Sequence, residues 1–221
     1  MIRVVTFDAR GTLIRLLRPP GAIYAEQAQL FGYVLDPVRV QEAFRIAWQC
    51  SAPPPESAGP CPDDDREWWR QLVASTMDQA RYRIVPFDAY FSTVYGAFTR
   101  PGVWGLYPDV SVILTEIRRL GIRLGVISNF DRRLYEILTG LGISDAFEQV
   151  IISSEVGVRK PASRIFQLAA QRFDVEVCEM LHVGDEAAAD FRGARAAGLD
   201  ALLVDHEASR LSSILARLRP K

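Results

Sequence analysis

Between residues 122 and 204, short and almost wholly apolar runs alternate with helical patterns, and few folds can accommodate such an alternation. Residues 122–127, 150–153, 180–183 and 201–204 read as strands, and residues 131–141, 161–173 and 187–197 as helices, the last closed by Gly198. A terminal helix is expected over residues 208–218. Strands that are apolar on both faces and separated by helices predict a parallel sheet covered on both sides. An earlier run, Val4-Val5-Thr6-Phe7, has the same character and ends in Asp8-Ala9-Arg10-Gly11-Thr12-Leu13. Tyr107-Pro108-Asp109 is expected to cap a helix through Ile113, Leu114, Ile117 and Leu120.

Between that first strand and the alternation, helix follows helix without a strand. A loop at Arg15-Leu16-Leu17-Arg18-Pro19-Pro20-Gly21 feeds a helix marked by Ile23, Ala25, Ala28, Leu30 and Phe31. Asp36-Pro37 caps a second, with Val40, Ala43, Phe44, Ala47 and Trp48 on one face. Residues 51–65 turn to Pro, Ala, Ser, Gly and acids and predict a mobile loop, before helices over residues 66–79 and 87–98. Arg100-Pro101-Gly102 reads as a hinge-like linker. The chain is therefore expected to be an α/β core of residues 1–15 and 100–221, split by an all-helical insertion of residues 16–99.

Composition narrows the partners. Lys and Arg nearly balance Asp and Glu, for a net charge of -1, which leaves no broad field for nucleic acid or an anionic membrane. Charged residues interrupt each hydrophobic run, so no membrane span is expected. Cys50, Cys61 and Cys178 form no metal-ligand spacing. Their odd number, with no secretory leader at Met1-Ile2-Arg3, points to a reducing cytoplasm. Oligomeric state and substrate identity leave no mark on the sequence.

All strands of a parallel sheet point one way, so residues just past several strand ends meet although distant in the chain. Asp8, Ser128-Asn129, Lys160 and Gly184-Asp185 stand at such positions. They describe an anion-and-metal site suited to phosphoryl transfer, which needs a nucleophile, neutralising cations and donors around the transferred oxygens. Asp8 serves as nucleophile, Asp185 holds a hard Mg²⁺, Lys160 offsets charge, and Ser128 donates to a phosphate oxygen. Asp190 supports the metal or orients Lys160.

These segments resemble the four motifs of the haloacid dehalogenase-like hydrolase superfamily: Phe7-Asp8-Ala9-Arg10-Gly11-Thr12-Leu13, Val126-Ile127-Ser128-Asn129, Lys160-Pro161, and Val183-Gly184-Asp185 with Asp190. The resemblance covers essentially the whole core and implies a Rossmann-like sheet with an inserted helical cap. Asp190-Phe191-Arg192-Gly193-Ala194-Arg195-Ala196-Ala197-Gly198 resembles the subfamily whose cap lies between the first two motifs. Ser128-Asn129-Phe130-Asp131-Arg132-Arg133-Leu134 is similar to the haloacid dehalogenase-like domain-containing branch. The resemblance implies a small phosphorylated substrate and Mg²⁺. It implies a metal held by Asp8, the Arg10 carbonyl, Asp185 and Asp190, and phosphate contacts from Ser128, Asn129, Arg10 and Thr12. The cap is where specificity would be set.

Arg10 departs from the pattern. The family's phosphatases carry a second Asp there that protonates the leaving group and then activates water, whereas an arginine stays charged and exchanges no protons. Losing one acid/base group costs roughly 10² to 10⁴ in rate, so slow or specialised hydrolysis is expected. Two alternatives stand beside it. Arg10 pairing with Asp8 or Asp185 would leave a catalytically impaired binding protein. The segment Phe7-Asp8-Ala9-Arg10-Gly11-Thr12 is also similar to the first motif of 2-haloacid dehalogenases, but those resemble Ser-Asn where this chain has Gly184-Asp185. Three acids around one pocket call for a cation.

Other residues have plainer readings. His182 is expected to be a satisfied core histidine and His206 to face solvent. Trp48, Trp68, Trp69 and Trp104 are packing residues, Asp63-Asp64-Asp65 a solvated loop and helix start, Arg159 and Arg45 surface cations, and Phe87-Asp88-Ala89-Tyr90 a chance echo of the first motif.

Overall fold

The computed structural model describes residues 1–57, 59–61, 64–206 and 213–218. In chain order the strands and helices are β1 (Val4–Phe7), β2 (Ile14–Leu16), α1 (Pro20–Gln29), α2 (Pro37–Cys50), α3 (Arg66–Gln79), α4 (Phe87–Ala97), β3 (Trp104–Leu106), α5 (Val110–Arg119), β4 (Arg123–Ser128), α6 (Arg133–Gly140), β5 (Gln149–Ile152), α7 (Ser153–Val156), α8 (Ser163–Phe173), β6 (Met180–Gly184), α9 (Gly193–Ala196), β7 (Asp200–Leu203) and α10 (Ser213–Leu218). Contacts divide them into two compact units: Met1–Arg15, Glu56–Cys61 and Gly105–Lys221, and Leu16–Pro55 with Pro62–Trp104.

The first unit is built on a five-stranded sheet of order β5-β4-β1-β6-β7, parallel throughout. This is the expected α/β architecture. Because β1 lies between β4 and β6, the chain leaves it in opposite directions, and the crevice at their carboxyl ends opens there. Phe7 is level with both Val126 and Val183, so Asp8, Ile127-Ser128 and Gly184 leave the sheet side by side. Beneath them Ile127, Ile151, Phe166, Ala169, Phe173 and Met180 form a buried core. Gly125 belongs to this packing: a Cβ there would lie 2.7 Å from the Phe173 ring. Filling such contacts with aliphatic and aromatic side chains contributes about 1.5–3 kcal/mol each.

The second unit gathers α1 to α4 around Tyr24, Ala28, Val40, Val73, Met77, Tyr90 and Phe91. Asp36 accepts a hydrogen bond from the Val38 amide (2.9 Å) at the start of α2, with Pro37 in its first turn, as the sequence predicts. Gly21 lets α1 meet α2 closely, since a Cβ would fall 2.4 Å from the Gln41 nitrogen. The Trp48, Trp68 and Trp69 rings pack together edge-to-face and tilted.

Several expectations are corrected. The loop expected at Arg15 and the linker expected near Arg100 adjoin β2 and β3, which pair as a separate two-stranded sheet. The helix expected over residues 187–197 is a wider, π-type turn over Ala187–Arg192 followed by the short α9. Asp109 stands at the start of α5 without making a side-chain cap. In the loop expected to be mobile, Ser57 and Cys61 donate their amides to the Gly157 and Ser154 carbonyls at 2.9 and 2.6 Å, which ties this stretch to the α/β unit. Asp65, expected to be solvated, is buried just before α3. Ala58, Pro62 and Asp63 of that loop, and residues 208–212 of the expected terminal helix, lie outside the described residues. Among the described residues no helix is long and apolar enough to cross a membrane.

Candidate active site

Asp8 follows the fully buried β1 directly, its amide donating to the Val183 carbonyl (2.8 Å), so the sheet ladder carries on into the functional residue. The chain then turns back on itself, with the Gly11 amide on the Ile14 carbonyl (2.9 Å). Gly11 has φ +93, and a Cβ there would sit 2.2 Å from Asp185 Oδ2. Only glycine meets both demands without strain.

Asp8 Oδ1 accepts from the Ser128 hydroxyl (3.1 Å) and from Lys160 Nζ (2.6 Å). Its Oδ2 accepts no hydrogen bond among the described residues. Lys160, 5% exposed, spends its three protons on Asp8, on Asp190 Oδ1 (2.5 Å) and on the Ile127 carbonyl (2.8 Å). Burial alone would lower its pKa, but the Asp8 and Asp190 charges more than reverse this and hold Lys160 above the usual lysine range.

Asp190 is committed on both oxygens. Oδ1 meets Lys160 and His182 Nε2 (3.2 Å), and Oδ2 accepts the Glu186 amide (3.0 Å). Burial would raise its pKa; the His182 hydrogen bond and the Lys160 charge hold it well below the carboxylate range. Gly184 makes room for it, since a Cβ there would come 2.2 Å from the Asp190 carboxyl carbon. Asp185 stands exposed and accepts the Thr12 hydroxyl on Oδ1 (3.0 Å). Partial desolvation and then the Asp8 charge push its carboxyl above the usual range. Oxygens of Asp8, Asp185 and Asp190 lie within 4.8 Å of one another. This all-oxygen, acid-rich donor set suits a hard divalent cation.

Asp8, Ser128, Lys160, Asp185 and Asp190 are thus brought together, and Asn129 and Thr12 adjoin them through Lys160 and Asp185. Asn129 holds the main chain of Lys160 from both sides, accepting its amide on Oδ1 (2.8 Å) and donating from Nδ2 to its carbonyl (2.9 Å). The Thr12 hydroxyl is turned to Asp185. Arg10 is exposed, and its charge acts with that of Arg15 to moderate the raised pKa of Tyr107, which burial and the Asp185 anion push up. Arg45, as expected, is an exposed cation, paired with Glu42.

His182 is the satisfied core histidine expected, fully buried with Nδ1 3.0 Å from Thr6 Oγ1. His206 overturns its expectation. It is half-buried, stacks face to face on Tyr107 with ring centroids 3.4 Å apart, and donates from Nε2 to the Thr12 carbonyl (3.0 Å). Tyr107 and Thr6 were not singled out in the sequence, where one looked like part of a helix-capping turn and the other like an ordinary strand residue.

The family described as "Hydrolase: haloacid dehalogenase-like hydrolase" matches residues 2–198. Among curated proteins, haloacid dehalogenase-like hydrolase domain-containing protein 3 of Mus musculus is 38% identical over 209 residues, 92% of this chain and 82% of that protein. A glyceraldehyde 3-phosphate phosphatase of Methanopyrus kandleri is 40% identical over 112 residues, 50% of this chain and 46% of that protein. Among solved structures, 2-haloacid dehalogenase of Pseudomonas syringae superposes with a TM-score of 0.65 at 23% identity, over 99% of this chain and 100% of the other.

Proposed function

We propose that this chain, which belongs to the haloacid dehalogenase-like hydrolase family, hydrolyses small phosphorylated compounds through an aspartyl-phosphate on Asp8. The observation that carries this reading is the asymmetry of the Asp8 carboxylate, with one oxygen held by Lys160 and Ser128 and the other without a hydrogen bond among the described residues. The open oxygen attacks phosphorus as the bond to the leaving oxygen breaks. Lys160 stays protonated and balances the growing negative charge, and the Ser128 hydroxyl turns to a phosphoryl oxygen. Water then attacks phosphorus and frees Asp8.

Mg²⁺ is the cofactor this reading assigns, and the carboxylates of Asp8 and Asp185 with the Arg10 carbonyl would hold it. Bound there, it offsets charge on the phosphoryl oxygens. Asp190, spent on Lys160, His182 and the Glu186 amide, supports the site from behind. Asn129 aims Lys160 through its two bonds to the Lys160 main chain. Sharing a fold with a 2-haloacid dehalogenase leaves the bond to be broken undecided. The three-carboxylate cluster favours phosphate esters.

Arg10 cannot pass a proton to the leaving group, so substrates whose leaving group departs as a stable anion are favoured. Phosphate release from an activated aryl phosphate is expected with Mg²⁺, and none with EDTA or in Asp8→Asn. Release undiminished by that substitution overturns the reading. Arg10→Asp is expected to extend activity to simple alkyl phosphates by roughly 10² or more. The binding-protein reading, which rests on Arg10 alone, takes its place if wild type is inert and only Arg10→Asp hydrolyses. Halide release from 2-halo acids is not expected.

A further inference from the structure

We propose that Thr6 and His182 are positioning residues, a buried relay that fixes Asp190 and through it keeps Lys160 aimed at Asp8. The proposal rests on the reading that Lys160 acts at Asp8. β1 and β6 are apolar strands with one polar intruder each near the middle, Thr6 and His182, and these two lie opposite one another in the parallel register. Both are wholly buried. Neither serves a local backbone purpose; Thr6 Oγ1 meets His182 Nδ1 at 3.0 Å, and His182 Nε2 meets Asp190 Oδ1 at 3.2 Å.

Hydrogen-bond direction along this line follows from the far end. An ionised carboxylate only accepts, so Nε2 carries the ring proton and Nδ1 accepts from the Thr6 hydroxyl. Phe166 meets the imidazole edge-on, with centroids 5.2 Å apart at 73°. The ring therefore has one tautomer and one orientation. Asp190 sits in the wide turn after β6, its own amide donating to the Glu186 carbonyl (2.9 Å). The His182 bond and the Glu186 amide together set the plane of its carboxylate, and that plane sets where the Lys160 ammonium rests. Two apolar residues would fill the space under the sheet as well; what they would not do is hold that carboxylate.

Nitrogen NMR of the full-length protein, labelled at histidine, reads the tautomer directly. A neutral His182 ring protonated at Nε2 is expected, and a ring protonated at Nδ1 overturns the relay, whether or not any ester is hydrolysed. Kinetics on the aryl phosphate form the second arm. His182→Phe and Thr6→Val are expected to lower kcat by about ten- to a hundredfold with KM unchanged, as losses of such supporting contacts do elsewhere. His182→Gln, which keeps an N–H near the Nε2 position, is expected to recover most of the loss. Unchanged kcat, or a fall that merely follows the thermal midpoint and that Gln does not rescue, overturns the proposal. Wild type that releases no phosphate refutes the proposed function instead, and the tautomer then decides the relay alone.

Discussion

The two units satisfy their buried polar groups in opposite ways. In the helical unit they turn to nearby main chain or to each other: Thr76 donates to the Leu72 carbonyl of its own helix (2.7 Å), and Tyr90 donates to the Tyr24 carbonyl (3.2 Å). Buried Gln27 accepts from Arg100 Nη1 (3.2 Å), and Ala28, Val40, Val73 and Phe91 belong to the apolar cluster of this unit. In the α/β unit, Thr6, His182, Asp190, Lys160, Asp8 and Ser128 form one unbroken line of side-chain contacts drawn from separate strands and loops. A polar group that bonds its own helix costs little to bury. A buried line of charges linking distant segments is expensive unless every member is satisfied, and such an arrangement marks where a fold has given up packing simplicity for chemistry.

Lys160→Met strikes that line hardest. It leaves Asp8 and Asp190 without their shared cation, and the expected loss is about 3–5 kcal/mol of stability, read by urea unfolding, with phosphate release abolished. Gly184→Ala should follow, because the new Cβ must displace the Asp190 carboxyl. About 1–3 kcal/mol is expected for overpacking, accompanied by a drop in kcat larger than the stability change alone explains.

Tyr90→Phe probes the other unit. It keeps the ring and removes one hydrogen bond, for about 1 kcal/mol, and phosphate release should be unaffected at temperatures well below unfolding. A matching loss of kcat would erase the distinction between the units. Burial also raises the Tyr90 pKa. A group whose pKa is raised by folding stabilises fully below its unfolded value, about 10 for tyrosine, and loses that contribution as pH rises beyond it. Alkaline unfolding of wild type should therefore steepen above pH about 10, and less so in Tyr90→Phe. Tyr135, pushed up to about 12 by burial and its bond to Glu155, adds a weaker contribution of the same sign. Arg45→Ala, at an exposed pair, should change neither stability nor release measurably.

Much of the α/β unit was legible because strand ends are local signals and a parallel sheet aligns them. Asp8, Ser128, Lys160 and Asp185 needed only that rule to be grouped. His182 was legible as a core histidine, but its pairing with Thr6 escaped, because that lies in a register between residues 176 positions apart. His206 looked solvent-facing since nothing local announces a stacking partner at Tyr107, while the docking of Glu56–Cys61 was hidden by a composition that describes how the segment behaves alone. The pairing of β2 with β3 was missed for a related reason, since strands three residues long carry almost no periodicity.

The double hold of Asn129 on the Lys160 backbone makes one mechanical part out of two loops 31 residues apart. Its consequence is for inheritance and engineering rather than for chemistry. A loop transplanted from a relative on one side alone would arrive without its fitted counterpart and would tilt the lysine away from the nucleophile, so the segments around Asn129 and Lys160 are expected to tolerate exchange only as a matched pair.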